Sequence, residues 1–191
     1  MPGGDRARLA DKAFATSIAL HERMRANLGT ALVAAETMSE ALKAGRKLLV
    51  FGNGGSASDA QHMSAELVGR FQRERAALAA IALTTDTSIL TSVANDYSFK
   101  QVFARQVEAL GQPGDVALGI STSGESPNVV LALQVAKTRG LKAIALTGRD
   151  GGSVGRAADI HVNVPDQSAA RVQEVHRTLI HVMCEIIEDA F

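Results

Sequence analysis

Several residues that could hold an anion or transfer a proton follow a short apolar run in the first third of the chain. The stretch KLLVFGNGGSASDAQHMSAELVG occupies residues 47–69. Its apolar run at 48–51 is too short for a helix and is bounded by glycine, which is typical of a strand buried on both faces. Gly54 and Gly55 permit backbone conformations in which the following amides surround an anion, and Ser56 could cap a helix. The stretch therefore predicts a strand, an anion-binding turn and a helix.

Two predicted helices carry the candidates for acid–base or metal chemistry. His62 and Glu66 are four residues apart on the helix after the glycine turn, so they share one face. The predicted last helix offers Gln173 and His181, which are eight residues apart and lie on neighbouring faces. Glu174 aligns with His181 still better, at a spacing of seven. Periodicity therefore cannot choose between Gln173 and Glu174.

These residue types suggest two kinds of chemistry. Two histidines, a carboxylate and an amide oxygen would form a mixed nitrogen and oxygen site that zinc could occupy. A histidine and a glutamate at this spacing also occur as an ordinary surface pair, and Glu174 could instead be a solvated partner of Arg177. The same side chains suit proton transfer beside a sugar carbonyl, because a glutamate can remove a proton from carbon and a histidine can protonate oxygen.

A second anion-binding turn is predicted after the strand DVALGI at 115–120. The segment STSGESPN that follows combines hydroxyl groups, a glycine for the turn, a serine to cap the next helix and Pro127 at the first helical position. Hydroxyls, free amides and a helix dipole together suit a dianionic phosphomonoester. The alternative is a capped turn without a ligand. The hydroxyls belong to Ser121, Thr122, Ser123 and Ser126.

The turns belong to a predicted α/β fold of one domain, residues 1–191. Beyond the strand at 48–51, strands are predicted at 78–83, 115–120, 141–146 and 159–164, with helices between them and a last helix from 169 onward. Five such strands would form a parallel sheet covered on both faces, with ligands beyond the carboxyl ends of the strands. Two helices, at 5–28 and 30–44, precede the first strand. They need an apolar surface to cover, which another copy of the protein could supply.

Composition limits the class of partner. Twenty basic and twenty acidic residues among 191 cancel, which argues against nucleic acid or a membrane surface as the partner. The apolar content of 46% supports one sizeable core. Cys184 is the only cysteine, so no intrachain disulfide can form, and it is expected in the core. No signal or membrane-spanning segment is predicted, so we expect a cytoplasmic protein.

Four further polar residues receive structural predictions. Asn95 and Asp96 are expected to form a turn before Tyr97 and to satisfy their own backbone. His161 alternates with apolar neighbours and is expected to point outward from its strand. His21, in the N-terminal helices, is expected at the surface or at an interface.

Taken together, these motifs resemble the sugar isomerase (SIS) domain family and, within it, the sedoheptulose 7-phosphate isomerases. The similarity is carried by FGNGGSASDAQHMSAEL at 51–67, ND at 95–96, GISTSGESPNV at 119–129, LTGRDGG at 146–152 and RVQEVHRTLIH at 171–181. It extends over nearly the whole chain. It implies a three-layer αβα sandwich with a flavodoxin-like sheet, an N-terminal helical arm at 1–45 used in oligomerisation, and a homotetramer with active sites between subunits.

The resemblance also assigns roles to the candidate residues. Sugar contacts would come from Asn53, Gly54, Gly55, Glu66, Asn95, Asp96 and Gln173, and phosphate contacts from Ser121, Thr122, Ser123 and Ser126. One zinc ion per active site would be held by His62, Glu66, Gln173 and His181. Glu66 and His181 would be catalytic. The resemblance thus selects Gln173 over Glu174 and leaves His176 as a structural residue.

The implied reaction interconverts D-sedoheptulose 7-phosphate and D-glycero-D-manno-heptose 7-phosphate, at the entry to bacterial ADP-heptose and lipopolysaccharide cores. Glu66 would move a proton between C1 and C2 through an enediol, His181 would protonate oxygen, and zinc would polarise the oxygens. A glutamate bound to zinc is a weaker base, so either Glu66 would release the metal during turnover or the metal would be mainly structural.

Two rival functions use the same domain. One is a sugar-phosphate-binding regulator of the DnaA initiator-associating type, and the other is an isomerase for an N-acetylhexosamine phosphate. The presence of His62, Glu66, Gln173 and His181 favours an enzyme, because a phosphate sensor needs only the serine turn.

Overall fold

The computed structural model describes residues 3–191 and has a parallel sheet flanked by helices. The strands are β1 (Leu48–Gly52), β2 (Ala80–Ala82), β3 (Val116–Ser121), β4 (Lys142–Gly148) and β5 (Ile160–Val164). The helices are α1 (Gly3–Arg25), α2 (Gly29–Lys43), α3 (Gly55–Val68), α4 (Thr87–Asp96), α5 (Ala104–Leu110), α6 (Pro127–Thr138), α7 (Gly152–Ala157) and α8 (Ala169–Asp189), with a 3-10 turn at Phe99–Gln101. The strand order is β2-β1-β3-β4-β5, and every neighbouring pair is parallel. The predicted α/β fold is confirmed, and residues 1–2 of the predicted arm lie outside the described residues.

The sheet buries side chains on both of its faces. In β1, Leu48 and Val50 join one apolar cluster, whereas Leu49 and Phe51 join the cluster on the other face. Successive side chains of a strand point to opposite faces, so an unbroken apolar run fills two cores at once. Helices α1, α2, α3 and α8 cover the first face, and α4 to α7 cover the second. Cys184 of α8 is buried as predicted, and burial raises the pKa of its thiol to about 12.

The starts of two helices differ from the prediction. Gly54, with a φ of 56°, occupies the N-cap position of α3, so Ser56 lies inside the first turn and does not cap it. Glycine reaches this conformation without steric cost, and the chain therefore turns into the helix earlier than a serine cap would allow. Ser126 does precede α6, with Pro127 in the first turn, but its side chain makes no capping hydrogen bond.

The sequence predicted a separate turn at Asn95 and Asp96, and this prediction is wrong. They are the last two residues of α4, which Asp86 caps by accepting a hydrogen bond from Ile89 N at 2.9 Å. The helix continues through Asn95 and Asp96 because buried Val93 anchors its last turn to the second core.

The sequence predicted that His161 points outward from its strand, but the structure shows it packed against neighbouring residues. Its ring is half-buried, and Nε2 lies 2.6 Å from Thr147 Oγ1 on β4. The ring packs against Gly151 and Gly155, where a Cβ would approach its Cε1 to 2.2 and 2.4 Å. Two glycines in and before α7 therefore make room for an imidazole at the edge of the sheet.

The N-terminal helices extend the first layer. His21 Nε2 of α1 lies 2.9 Å from Thr178 Oγ1 of α8, so this histidine joins the arm to the last helix. The outer side of α1 exposes large apolar side chains, namely Leu9 at 69%, Phe14 at 73% and Ile18 at 58%. Among the helices of residues 3–191, none is both long enough and apolar enough to cross a bilayer.

Candidate active site

The centre of the sheet contains a crevice between β1 and β3. The chain leaves β1 toward β2 on one side and leaves β3 toward β4 on the other, so the turns after these strands diverge. Asn53 and Asn128 close the base of this crevice, each amide donating to the oxygen of the other at 2.9 and 2.8 Å. Asn128 is only 2% exposed, so the pair fixes the two turns relative to each other. Asn128 has no distinguishing signal in the sequence, because it follows a serine-rich helix start, and its role is visible only in the structure.

The serine turn after β3 gathers its hydroxyls at the start of α6. Ser121 Oγ lies 2.9 Å from Ser126 Oγ and 3.3 Å from Ser123 Oγ. Gly124, with a φ of 71°, reverses the chain between them, and Thr122 is half-buried beside them. Pro127 has no N–H, and the N–H groups of Val129 and Val130 already donate to Ser126 O, so in the first turn of α6 the N–H of Asn128 is left at the positive end of the helix dipole. Hydroxyl and amide donors of this kind suit a phosphate group. The assignment of the turn as a phosphate site stays a prediction.

His62, Glu66 and His181 form one cluster. His62 Nε2 lies 2.7 Å from His181 Nε2, across a sequence separation of 119 residues, and 3.4 Å from Glu66 Oε1. One ligand atom from each of the three residues lies within 4.8 Å of the others. Burial lowers the pKa of His62, and the positive charge of Arg177 acts in the same direction against the pull of Glu66. The lowered pKa favours the neutral form of His62, which can bind a metal.

The donor set of this cluster fits a metal ion. Tetrahedral zinc with nitrogen ligands at about 2.0 to 2.1 Å places neighbouring ligand atoms about 3.4 Å apart. The separation of His62 Nε2 and Glu66 Oε1 is 3.4 Å, and the two imidazole nitrogens, at 2.7 Å, would have to separate slightly. The two facing imidazole nitrogens can share one proton in a hydrogen bond, or both can turn a lone pair toward a cation. The three residues can hold a metal ion that accepts nitrogen and oxygen ligands.

Gln173 of α8 lies against the first turn of α3. A Cβ built on Gly55 would lie 1.8 Å from Gln173 Nε2, so the glycine leaves the space that the amide fills. Gln173 Nε2 also donates to Asp59 Oδ2 at 3.4 Å. Glu174 turns away and pairs with Arg171 at 2.8 Å. The alternative in which Glu174 pairs with Arg177 is therefore wrong, whereas the choice of Gln173 as a ligand stays a prediction.

Asp59 and Arg177 form a charged pair that the sequence analysis missed. Asp59 has 0% exposure, and its Oδ1 accepts from Arg177 Nη2 at 2.6 Å and from Arg177 Nε at 2.9 Å. Two charge-assisted hydrogen bonds from one guanidinium to one carboxylate oxygen hold the two side chains together. The sequence carries one weak signal for this pair. Asp59 lies about one helical turn before His62, and the oppositely charged Arg177 lies about one helical turn before His181. The pair ties α3 to α8 and so sets the distance between the two histidines.

Three other residues singled out in the sequence lie outside the cluster. His176 is structural, and Asn95 and Asp96 are exposed at the end of α4. His176 has 0% exposure and donates through Nε2 to Thr147 O at 2.9 Å. Burial lowers its pKa to about 4, which agrees with the structural role predicted for it. Asn95 and Asp96 are exposed at the end of α4, where Asn95 Nδ2 donates to Asp96 Oδ1 at 2.8 Å. Their contact with a substrate stays a prediction.

Comparison with known proteins assigns the family. The SIS domain family model matches residues 14–148, more than half of the chain. The chain belongs to the SIS domain family. A phosphoheptose isomerase of Geotalea daltonii is 54% identical over 173 residues, which cover 88% of this chain and 90% of the relative. The solved phosphoheptose isomerase of Neisseria gonorrhoeae is 47% identical with a TM-score of 0.90, and that of Francisella tularensis is 39% identical with a TM-score of 0.91. Both alignments cover 96% of this chain and 98% of the other.

In this SIS domain the two predicted turns follow the carboxyl ends of β1 and β3, and the two helices that bear the cluster, α3 and α8, pack against each other. Helix α3 starts at the glycine turn after β1, and α6 starts at the serine turn after β3. Helix α8, from the end of the chain, crosses α3 and contributes His181 and Gln173. The domain combines a turn rich in hydroxyl groups with two imidazoles and a carboxylate, which are groups that suit proton transfer on a phosphorylated substrate.

Proposed function

We propose that this protein is a phosphosugar aldose–ketose isomerase that interconverts D-sedoheptulose 7-phosphate and D-glycero-D-manno-heptose 7-phosphate. The observation that carries this proposal is the cluster of His62, Glu66 and His181, with ligand atoms within 4.8 Å of one another, in a chain that also contains the serine turn. A phosphate sensor needs only the turn, whereas an isomerase needs both. The similarity to phosphoheptose isomerases over nearly the full length supports a heptose as the sugar.

The substrate is held at both of its ends. The hydroxyls of Ser121, Thr122, Ser123 and Ser126, at the positive end of the α6 dipole, bind the phosphate. The sugar lies along the glycine turn and is contacted by Asn53, Gly54 and Gly55, with Asn95 and Asp96 closing the far side. A bound phosphate anchors the reactive carbons at a set distance, which turns a random encounter with the base into an oriented one.

Two side chains move the protons. Glu66 removes the proton from one of C1 and C2 and returns it to the other, so that an enediol lies between ketose and aldose. His181 transfers a proton to and from the two oxygens. Positioned groups of this kind each contribute roughly 100- to 10,000-fold.

We assign a zinc ion to His62, Glu66 and His181, with Gln173 as the fourth ligand. Gln173 Nε2 donates to Asp59, which leaves Oε1 available as the ligand atom. When bound, zinc would supply Lewis-acid polarisation of the substrate oxygens. Glu66 has two oxygens, and since Oε1 faces His62, Oε2 is the one that accepts the substrate proton.

We also propose that the protein works as a cytoplasmic homotetramer. Residues 1–191 form one SIS domain, and the arm at 1–45 makes the subunit contacts. Support comes from the exposed apolar side chains of α1, above all Leu9, Phe14 and Ile18 at 69%, 73% and 58%, because such a surface is usually covered by a partner. The active sites lie between subunits. The product enters bacterial ADP-heptose and lipopolysaccharide core synthesis.

The proposal is tested with purified, metal-analysed protein and sedoheptulose 7-phosphate in deuterated water, followed by NMR. We expect the aldoheptose phosphate with deuterium at C2, because the abstracted proton exchanges with solvent in the enediol. Glu66→Gln removes the base and should abolish both product and exchange. The matched control is Glu174→Gln, which neutralises a carboxylate of α8 that pairs with Arg171, and it should keep wild-type turnover.

Two outcomes would count against the proposal. Wild-type protein that binds the sugar phosphate without product or deuterium exchange would favour a regulatory role. Loss of activity in Glu174→Gln, with activity retained in Glu66→Gln, would place the catalytic base on α8 and not on α3.

A further inference from the structure

The loop between α3 and β2, residues 69–79, binds a buried carboxylate from the last turn of α8. Glu188, in the last turn of α8, is only 3% exposed. Its carboxylate accepts hydrogen bonds from the backbone N–H groups of Phe71, Gln72 and Arg73 at 3.0, 2.9 and 2.9 Å. Three consecutive amides that converge on one carboxylate form an anion-binding nest. The loop therefore follows the position of α8.

The same carboxylate is paired with a buried arginine that reaches back to α3. Arg75 Nε lies 3.3 Å from Glu188 Oε1, and the two side chains are 4% and 3% exposed. Arg75 Nη2 donates to Glu66 O at 2.8 Å, and Nη1 donates to Leu67 O at 2.9 Å. These carbonyls belong to the last turn of α3, whose acceptors have no partner within the helix. The arginine thus caps α3 at the turn that carries Glu66.

The loop also contacts the second histidine of the cluster. The ring centroid of Phe71 lies 5.7 Å from that of His181, with an angle of 32° between the rings. Phe71 is packed against the first apolar core, and its own N–H is one of the three that Glu188 accepts. The Glu188 carboxylate therefore connects to both members of the catalytic pair, through Arg75 to Glu66 and through Phe71 to His181.

We propose that Glu188 and Arg75 are positioning residues that set the separation and orientation of Glu66 and His181. A buried ion pair is seldom the most stabilising way to fill a core site, because desolvation offsets much of its attraction. What this pair adds is geometry: seven polar contacts from two side chains define one arrangement of loop, α3 and α8. The consequence for turnover rests on the proposed isomerase function, whereas the consequence for the geometry of the cluster does not.

The main test compares two substitutions at adjacent residues of α8. Glu188→Gln keeps the shape of the side chain but turns an N–H donor toward backbone donors, so at least one of the three bonds is lost. Asp189→Asn is the matched control, because it removes the exposed ion pair with Arg73 of the same loop, where the side chains are 70% and 58% exposed. Both variants are studied at a temperature well below their melting points.

The first measurements use metal-free protein and need no activity. We expect the amides of Phe71 to Arg73 to exchange with solvent at least about tenfold faster in Glu188→Gln, since their acceptor is weakened. We also expect the His181 imidazole signals to shift in a proton–nitrogen spectrum, because the aromatic neighbour moves. Asp189→Asn should leave both unchanged. Unchanged His181 signals in Glu188→Gln would overturn the proposal.

The kinetic measurements separate positioning from stability. In Glu188→Gln we expect kcat to fall by roughly 10- to 100-fold with KM within about twofold, because the phosphate-binding turn lies on another part of the sheet. Phe71→Leu leaves the carboxylate and its N–H partners in place, so it should lower kcat to a similar extent without faster exchange at Gln72 and Arg73. This second variant keeps the test decisive if Glu188→Gln does not fold.

The results distinguish the positioning role of Glu188 and Arg75 from the proposed isomerase function. A lower melting temperature in Glu188→Gln with wild-type kcat, or wild-type kcat in Phe71→Leu, would show a purely structural contact and overturn the positioning role. A wild-type protein without isomerase activity would instead refute the proposed function, and the exchange rates and the His181 signals would still decide whether the carboxylate sets the cluster geometry.

Discussion

Gly55→Ala is the substitution that most directly tests how the candidate site is built. A methyl group at this position would lie 1.8 Å from Gln173 Nε2 and 2.6 Å from Gln173 Cδ, while ordinary contact begins at 3.4 Å. The amide must therefore move by about 1.6 Å. Because it is the far end of a flexible side chain, it can do so by changing rotamer, without a shift of α3 or α8.

Stability and activity should change in opposite directions in this variant. Gly55 is the first residue of α3 and has an ordinary backbone conformation. Alanine there should add roughly 0.4 to 1 kcal/mol by restricting the unfolded chain, or about 1 to 4 °C in melting temperature for a chain of this size. A displacement of more than 1 Å in a group that orients metal or substrate costs on the order of 100-fold, so kcat/KM should fall by about that factor.

The matched control is Gly29→Ala. Gly29 is the first residue of α2, and a Cβ built there meets nothing within 4 Å, so the same gain in stability should come without loss of activity. Melting curves and initial rates with sedoheptulose 7-phosphate measure the two effects. A double-mutant cycle with Gln173→Ala assigns the cause, because Gly55→Ala should cost little further activity once the amide is gone.

Two results would refute this reasoning. Wild-type kcat/KM in Gly55→Ala, with its stability raised, would mean that the displaced amide has no part in the reaction. If the fall in kcat/KM of the double variant equals the product of the falls in the two single variants, the methyl group acts on the substrate or the glycine turn and not through Gln173.

Two further predictions concern buried polar groups. The unfolded chain takes up a proton at His176 near pH 6.5, whereas the folded protein does so only near pH 4, so acid favours unfolding. Urea titrations should show that this residue lowers the free energy of unfolding by about 2 kcal/mol at pH 5 relative to pH 7. The variant His176→Gln should lack that part of the pH dependence. Asn128→Ala leaves the amide of Asn53 without its partner, and we expect a loss of about 1 to 3 kcal/mol in the same titrations together with a higher KM; an unchanged KM would separate Asn53 from sugar binding.

The cluster of His62, Glu66 and His181 shows how a site can use the rigid parts of a fold. Its residues lie on two helices that pack directly on the sheet, and not on mobile loops. The helices are fixed to each other near one end of the cluster by the ion pair between buried Asp59 and Arg177, whose side chain is 40% exposed. Rigid support of this kind keeps proton donors and acceptors within reach at little entropic cost at the moment of reaction.

Local patterns in the sequence determined the strands, the order of the elements and both turns. The apolar run of β1 alternates between two cores, and its periodicity is visible in a few consecutive residues. The four-residue spacing of His62 and Glu66 on α3 is equally local. Glycine and proline at the serine turn mark the start of α6 because their backbone restrictions act within the turn itself. Resemblance to the SIS family added roles to these residues.

Only the tertiary structure decided which residues of α8 face α3. Gln173 and Glu174 are adjacent, and one side chain meets Asp59 whereas the other meets Arg171. That choice depends on the rotation of α8 about its axis, which packing against the whole first core sets. The pairs of Asn53 with Asn128 and of Glu188 with the 71–73 amides likewise join residues 75 and more than 100 positions apart. Pairings of this length leave no periodic signal, because they arise only when separate elements pack together.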